Sequence, residues 1–554
     1  MVSWEERSLQ NRMSKLLRRF KPGLTWLDDH ILEYLSLALL IFIPLYPKIP
    51  IADLIPGYLV RLRPDDLLVA LAFGIWVIWL IRKKVTLRGN PLFIPIGVYV
   101  IVGFLSTLSA LFWTKTVPVQ ALHMEKLYLH FIRRVEYFSV FFIFFSSIKS
   151  LAQIKKYIFL AAVVLLGVSI YGFGQKYLYW PAFSTMNREF SKGVKLYLTE
   201  HARVLSTFGG HYDLAAYLMI VLTIFIPLIT ILKKITHKLL FLIVSLAGFW
   251  LLILTVSRTS FLAYLVSITI VFSLLILKRG WLWSVSRWSI VIVFSLVVMI
   301  SFGDLSDRFA HVLKLDAFKT SFALKPLKKE PPGGAQAAYL DIGKDVGSKS
   351  DTPPTTQKPT TGSPVTGAVP ADVYEDVPEY GEGESLPATL AAKPRVYSQA
   401  AVQYDLSTGI RLDYTWPQAI KGFTRNPIFG SGYSTLTKRN IEDFTEAEST
   451  DNDFLRALGE TGLSGFLAFF GIIAFIIWYS LVNFKKINDP FASTLVAALI
   501  AATLGLLVNS LYIDVFEASK VAYTFWIMVA ILLATVKLAT TTKVNLKSQI
   551  TNSK

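Results

Sequence analysis

There is no cysteine in the 554 residues. Disulfides, thiolate metal sites and cysteine nucleophiles are therefore excluded, while the compartment stays open. Charge is scarce too. Asp, Glu, Lys and Arg together make up 17%, against about a quarter in soluble domains. The N-terminal segment lacks the cleavable pattern of basic start, short apolar core and small-residue cut site. The first apolar segment is accordingly expected to remain as an anchor.

Apolar sequence is what abounds. Hydrophobic residues reach 53%, aromatics 14% and the mean hydropathy is +0.50. Apolar runs of about eighteen or more residues recur, long enough to cross a bilayer as helix. They predict an all-α polytopic membrane protein with about twelve transmembrane helices. The spans fall near 31–46, 65–81, 91–113, 131–147, 156–176, 212–232, 238–255, 259–277, 284–302, 462–483, 489–510 and 521–540. The expected organisation is a basic segment 1–30, helices 1–9 over 31–302, a large loop 303–461, helices 10–12 over 462–540, and a tail 541–554.

Lysine and arginine give the orientation. The N-terminal segment and every second short loop are basic: Arg82-Lys83-Lys84, Lys149 with Lys155-Lys156, Lys233-Lys234 with Lys238, Lys278-Arg279 and Lys485-Lys486. With alternating spans these share one side, predicted to be cytoplasmic with both termini. The net charge of +18 follows mainly from this arrangement, since basic loops face anionic lipid. The loop 303–461 then faces outward. Its stretch 326–396 is rich in Pro, Gly, Thr, Ser and Ala and is expected to be disordered, because it cannot bury enough apolar area. Short helices are expected over 303–323, and over 398–461 up to Asn426-Pro427, since proline disfavours helix at the residue before it.

The outward side also carries the chemistry-bearing residues. An enzyme acting there without ATP needs a substrate with its own leaving group, and a lipid-diphosphate-linked sugar is one. Its site needs cations for the diphosphate and an acid or base for the attacking hydroxyl. Arg258 opens the eighth span from a very short turn, so it lies near the membrane surface. It reads either as a functional cation or as an arginine snorkelling to headgroups. Arg411 on the loop helix reads by itself as a solvated charge. Arg203, His211 and Asp213 end the second outward loop. His211 and Asp213 are candidates for sugar binding or proton relay, and Asp213 alternatively caps the sixth helix. Thr450 or Asp451 is placed to cap a helix over 452–460, with Thr450 and Asp453 like a capping box. The functional reading makes Asp451 a base; spacing alone favours the cap, and the two roles do not exclude each other, since a helix N-terminus is also a good anion site.

Three groups of residues resemble the O-antigen ligase and O-antigen polymerase superfamily. Ser257-Arg258-Thr259 is similar to the family's Ser-Arg element. Arg411 through Trp416, Asn426-Pro427 and Gly430-Ser431-Gly432 resemble its Arg, Trp, Asn/His-Pro and Gly-x-Gly run. Asp451-Asn452-Asp453-Phe454-Leu455 with Glu460-Thr461-Gly462-Leu463-Ser464-Gly465 resemble its His-Asn element and the Glu-Thr-Gly-x-x-Gly that follows. The resemblance runs from about residue 203 to 475.

It implies a metal-independent, cofactor-free glycosyltransferase in the bacterial cytoplasmic (inner) membrane. Such an enzyme moves or polymerises an undecaprenyl-diphosphate-linked glycan onto a lipid, protein or glycan acceptor. It implies diphosphate binding by Arg258 and Arg411 and a catalytic role for Asp451; Arg203, His211, Asp213 and Asn452 are further candidates for substrate contact. Membrane lipids are expected partners, and nucleic acid is not. Asp451 stands where ligases have a catalytic histidine. A carboxyl with a reference pKa of about 3.9 must be raised by burial to act as a base. The polymerase branch, a variant ligase and an inactive relative all fit that substitution. The non-enzyme alternative is a secondary transporter or flippase, although no repeated halves are visible.

Overall fold

The computed structural model describes residues 26–301 and 406–552 apart from 57, 59, 187–189, 200–201, 439 and 445–448, together with Val365–Thr366 and Val396–Tyr397. Side chains of 300, 365–366, 396–397, 406–407 and 542–552 are outside the description. Twelve long helices are described: α1 (residues 26–45), α2 (Pro64–Ile81), α3 (Phe93–Leu108), α4 (Ala121–Ser147), α5 (Leu151–Tyr177), α6 (His211–Ile229), α7 (Ile235–Leu254), α8 (Arg258–Arg279), α9 (Trp281–Ser301), then, after two short helices, α12 (Asp453–Phe484), α13 (Pro490–Asn509) and α14 (Ser519–Asn552). The short ones are α10 (Leu406–Ile410) and α11 (Trp416–Arg425). They are joined by the π-turn Arg411–Thr415.

Ten of the long helices are long and apolar enough to cross a membrane. The chain is an all-α, multi-pass membrane protein. The remaining two, α1 and α4, carry more charge: Asp28, Asp29 and Glu33 in one, and Arg133, Arg134 and Glu136 among others in the other. Helix α4 starts at Ala121, ten residues before the expected span, because its polar first turns pack inside the protein. Helix α14 runs to Asn552, so the expected tail from 541 is largely helical.

The bundle is centred on α13. Its Ala, Ser, Thr and Gly positions let α6 and α8 approach closely, as small residues do between membrane helices. Asp489 caps it by accepting from Ala492 N at 2.8 Å, with Pro490 at the first position. Helix α14 packs on α4, and α12 on α3 and α11.

The basic loops gather at one end. Lys278 Nζ at the end of α8 donates to Lys485 O (3.0 Å) and Ile487 O (2.7 Å) after α12. The opposite end holds the N-termini of α8 and α12 and the C-terminus of α13.

The helix expected over 303–323 lies outside the described residues. So does nearly all of 326–396. The described pieces there and just beyond, β3 (Val365–Thr366) and β4 (Val396–Tyr397), pair antiparallel. The other strand pair is β1 (Ala52–Asp53) with β2 (Arg61–Leu62).

Helix α12 is broken at Gly462, whose φ of 67° and ψ of −169° are not helical. The break leaves backbone groups without helical partners, which is costly unless they are paired. Residues 426–432 supply the partners. Ser431 N donates to Gly459 O and Gly432 N to Glu460 O, both at 2.9 Å. In return, Leu463 N donates to Pro427 O (2.8 Å) and Ser464 N to Ile428 O (3.2 Å). Ser106 of α3 closes the joint, with its Oγ 2.7 Å from Phe429 O and 3.1 Å from Glu460 O.

A methyl group on Gly462 would collide with the Ile428 carbonyl, and one on Gly430 would meet Glu460 O at 2.5 Å. Gly462→Ala adds backbone strain to that collision and is expected to destabilise by about 2–4 kcal/mol. Thermal unfolding in detergent measures this, and an unchanged midpoint would refute the joint's importance.

Candidate active site

The site is built around the loop between α13 and α14. Asp514 in that loop is the organiser. Its carboxylate accepts from Thr450 N (2.9 Å), Asn452 N (2.8 Å), Thr450 Oγ1 (3.1 Å) and Arg456 Nη1 (2.9 Å). Ser449 Oγ lies 2.9 Å from Asp514 and 2.8 Å from Asp451. Having one proton, it serves one carboxylate at a time. These bonds fix residues 449–452 against the bundle.

Within that turn Asp451 has a left-handed backbone, φ 52°. It does not cap the helix. Asn452 does, its Oδ1 accepting from Leu455 N at 2.9 Å while its Nδ2 donates to Leu511 O at 3.1 Å. The expectation of a Thr450 or Asp451 cap is therefore corrected to Asn452. Asp451 is left with its carboxylate turned to Arg411, 3.0 Å from Nη2. Arg411 also donates to Tyr512 O at 3.1 Å and lies over the Tyr512 ring. It is 5% exposed, so the solvated-charge reading does not hold. The π-turn produces this: the extra residue in the turn rotates Arg411 inward, while Ile410, Leu412 and Tyr414 point out.

Burial is the main influence on Asp451 and raises its pKa above the ordinary value. Arg411 opposes the shift, and Asp514 adds to it by like-charge repulsion. The carboxyl therefore holds a proton more readily than a solvated one does.

Behind this pair lies a buried ionic network. Arg134 of α4 bonds Glu460 (3.3 Å) and Glu517, and Arg456 bonds Glu460 (3.3 Å), Asp514 (2.9 Å) and Glu517 (3.8 Å). Glu460 also accepts from Ser434 N at 3.0 Å. Four segments far apart in sequence are thereby locked together. Of these residues the sequence reading singled out Glu460 alone. The signal available was ionisable residues beside or inside apolar runs, Arg133-Arg134 and the Arg456/Glu460 pair one turn apart.

Arg258 is the first residue of α8, half-buried, behind the cap Ser257. One turn on, Ser260 Oγ is 3.2 Å from Asn509 Oδ1, and Tyr512 N donates to Asn509 O at 3.1 Å. The α8 N-terminus thus meets the same loop that receives Arg411. Arg203 Nη1 is 2.8 Å from His211 Nε2 and 3.2 Å from Tyr212 Oη. Asp213 does not cap α6, where Gly210 takes the cap position without a side-chain bond. This loop is tied to the start of α14 through Lys520, which donates to Thr207 O (2.7 Å), Tyr46 O (2.6 Å) and Pro44 O (3.1 Å). No group of three or more His, Asp or Glu suited to a metal occurs among the described residues.

A bundle of membrane helices carries, at one end, a buried arginine paired with a half-buried carboxylate, which defines a polytopic membrane protein with a polar site at that end. Residues 239–470 match the family model described as O-antigen ligase, a range that includes Arg258, Arg411 and Asp451. This stretch of the chain is similar to the O-antigen ligase family, and the match supports membrane glycan processing of that kind. No match is found among curated proteins.

Proposed function

We propose that the protein transfers a glycan from a polyprenyl diphosphate, of the undecaprenyl type, to an acceptor hydroxyl at the outer face of a bacterial cytoplasmic membrane. The observation that carries this reading is the Arg411–Asp451 pair, 3.0 Å apart at the end of the bundle where α8 begins with Arg258. A cation and a carboxyl with raised proton affinity are what the reaction needs. The acceptor oxygen attacks the anomeric carbon, and the bond from that carbon to the diphosphate oxygen breaks. The diphosphate leaves with the electron pair, and Asp451 takes the acceptor proton.

Arg411 has two states in this scheme. With no donor bound, it holds Asp451 ionised. When a diphosphate arrives, the guanidinium turns to the more highly charged ligand by charge-assisted hydrogen bonds, and Arg258 shares the load. Losing its partner, Asp451 becomes more basic at the moment a base is required. The other named side chains, Arg203, His211, Asp213 and Asn452, are proposed to contact substrate only secondarily. Asn452 in particular is occupied as a cap. The broken helix α12 invites a transporter reading, but residues 426–432 fill the break with protein, which favours a rigid site.

Arg258→Ala and Arg411→Lys test the reading in a purified transfer assay with a short polyprenyl-diphosphate glycan. Each is expected to slow transfer by about 10- to 100-fold, because an ammonium cannot reproduce the planar fork and alanine removes the charge. Full transfer by Arg258→Ala would remove the site from consideration.

A further inference from the structure

We propose that a cavity separate from the Arg411–Asp451 pair binds a membrane lipid with an anionic phosphate headgroup. The cavity is about 620 Å³ and lies between residues 113–116, residues 425–429 and the side chains of Lys438, Asn440 and Ile441. It shares no residue with the ionic network of the active site, so the inference does not rest on the glycan-transfer reading.

Three cations line it: Lys115, Arg425 and Lys438. Among the described residues no carboxylate lines it. Lys438 is 5% exposed and built into the wall, its Nζ donating to Ile441 O at 2.8 Å and Thr116 O at 3.3 Å. Lys115 and Arg425 are exposed and make no ion pair among the described residues. The polar floor is rigid. Asn426 Nδ2 donates to Ser109 Oγ (3.0 Å) and Thr114 Oγ1 (3.2 Å), while its Oδ1 accepts from Ile428 N and Phe429 N, each at 3.1 Å. The like charges of Lys115 and Arg425 at one hollow repel each other, and an anion seated there relieves that repulsion.

The surroundings select a lipid over a free anion. Trp113 is the last residue of the membrane span Phe93–Trp113 and is 78% exposed. A tryptophan at that position marks the headgroup level. From the mouth an apolar surface continues toward the bilayer along α3, through exposed Phe112, Leu105 and Ile101. A second track follows Ile428 to Leu463 and Leu467, the two segments being joined by the Leu463 N–Pro427 O bond of 2.8 Å. The cations thus sit where a phosphate would lie, and the apolar tracks where its chains would run.

The test uses the full chain in nanodiscs and in mild detergent, with native mass spectrometry counting bound lipid. Phosphatidylglycerol is titrated against phosphatidylcholine, and inorganic phosphate is added as the free-anion probe. Wild type should retain phosphatidylglycerol in preference to phosphatidylcholine, and millimolar phosphate should not displace it. The double variant K115Q/R425Q should bind it about 25-fold more weakly, because each cation near an anionic headgroup is worth about a fivefold change in affinity. Trp113→Ala should weaken lipid binding further. If the double variant unfolds, K115Q and R425Q alone are read for a fivefold loss each. Unchanged binding in these variants, or equal retention of the two lipids, overturns the proposal. So does binding of inorganic phosphate without lipid, which would make the cavity a site for a soluble anion or acidic glycan.

Discussion

Asp451→Asn should lower the rate of glycan transfer by about 100-fold or more and leave the fold intact. Asparagine accepts the left-handed backbone at this position, φ 52°, more readily than most residues. The helix cap is made by Asn452 and is not disturbed. What the substitution removes is the ability to take a proton and the ion pair with Arg411. Undiminished transfer by the variant would end the assignment of Asp451 as base.

Acidification gives an independent reading of the same residue. Burial raises the Asp451 pKa above 3.8, so the wild-type rate should fall as pH drops through that raised value. Stability should respond the other way. The native state binds this proton more tightly than the unfolded chain, so between the raised value and 3.8 this residue's contribution to stability grows as pH falls. A rate that falls while the unfolding temperature holds therefore points to protonation of the base. A rate independent of pH across that window would count against it.

The largest effect on stability is expected at Asp514. Asp514→Ala strands the amides of Thr450 and Asn452 and takes away one partner of Arg456. Breaking a buried charge network from one side costs about 3–5 kcal/mol. The unfolding midpoint in detergent should drop accordingly, and transfer should be lost even in protein that stays folded, since the 449–452 turn loses its anchor. Asp514→Asn should be milder because it keeps an acceptor. An unchanged midpoint in the alanine variant would show that the turn is held by other contacts.

Why the fold was legible and the site only partly so follows from particular residues. Long apolar runs mark helices such as α6, α7, α8 and α13 without ambiguity, since the bilayer permits little else. Helix α4 was half-read because Lys126, Arg133 and Arg134 look like surface charge until their partners on other helices are known. Arg411 and Asp451 came into view through resemblance to a family, not through spacing. Asp514, Glu517 and Arg134 had no local pattern. Their significance is a property of three-dimensional pairing between segments hundreds of residues apart, as with Arg134 and Glu517. The Gly430-Ser431-Gly432 and Glu460-Thr461-Gly462 elements are visible in the sequence only as resemblances to family elements. Their described bonds make them a structural joint, and their glycines are explained by close backbone approach.

The joint at Gly462 also bears on how the chain is made. A ribosome delivers residues in order, and domains and helices assemble as they emerge. Ser106 is synthesised first, residues 426–432 next, and the interrupted helix only after both. The partners for the exposed amides and carbonyls of Gly459 to Ser464 are thus already outside the ribosome when that helix reaches the membrane. Reversing the order, by moving α12 ahead of its patch in a permuted gene, would ask a bilayer to accept an unpaired backbone.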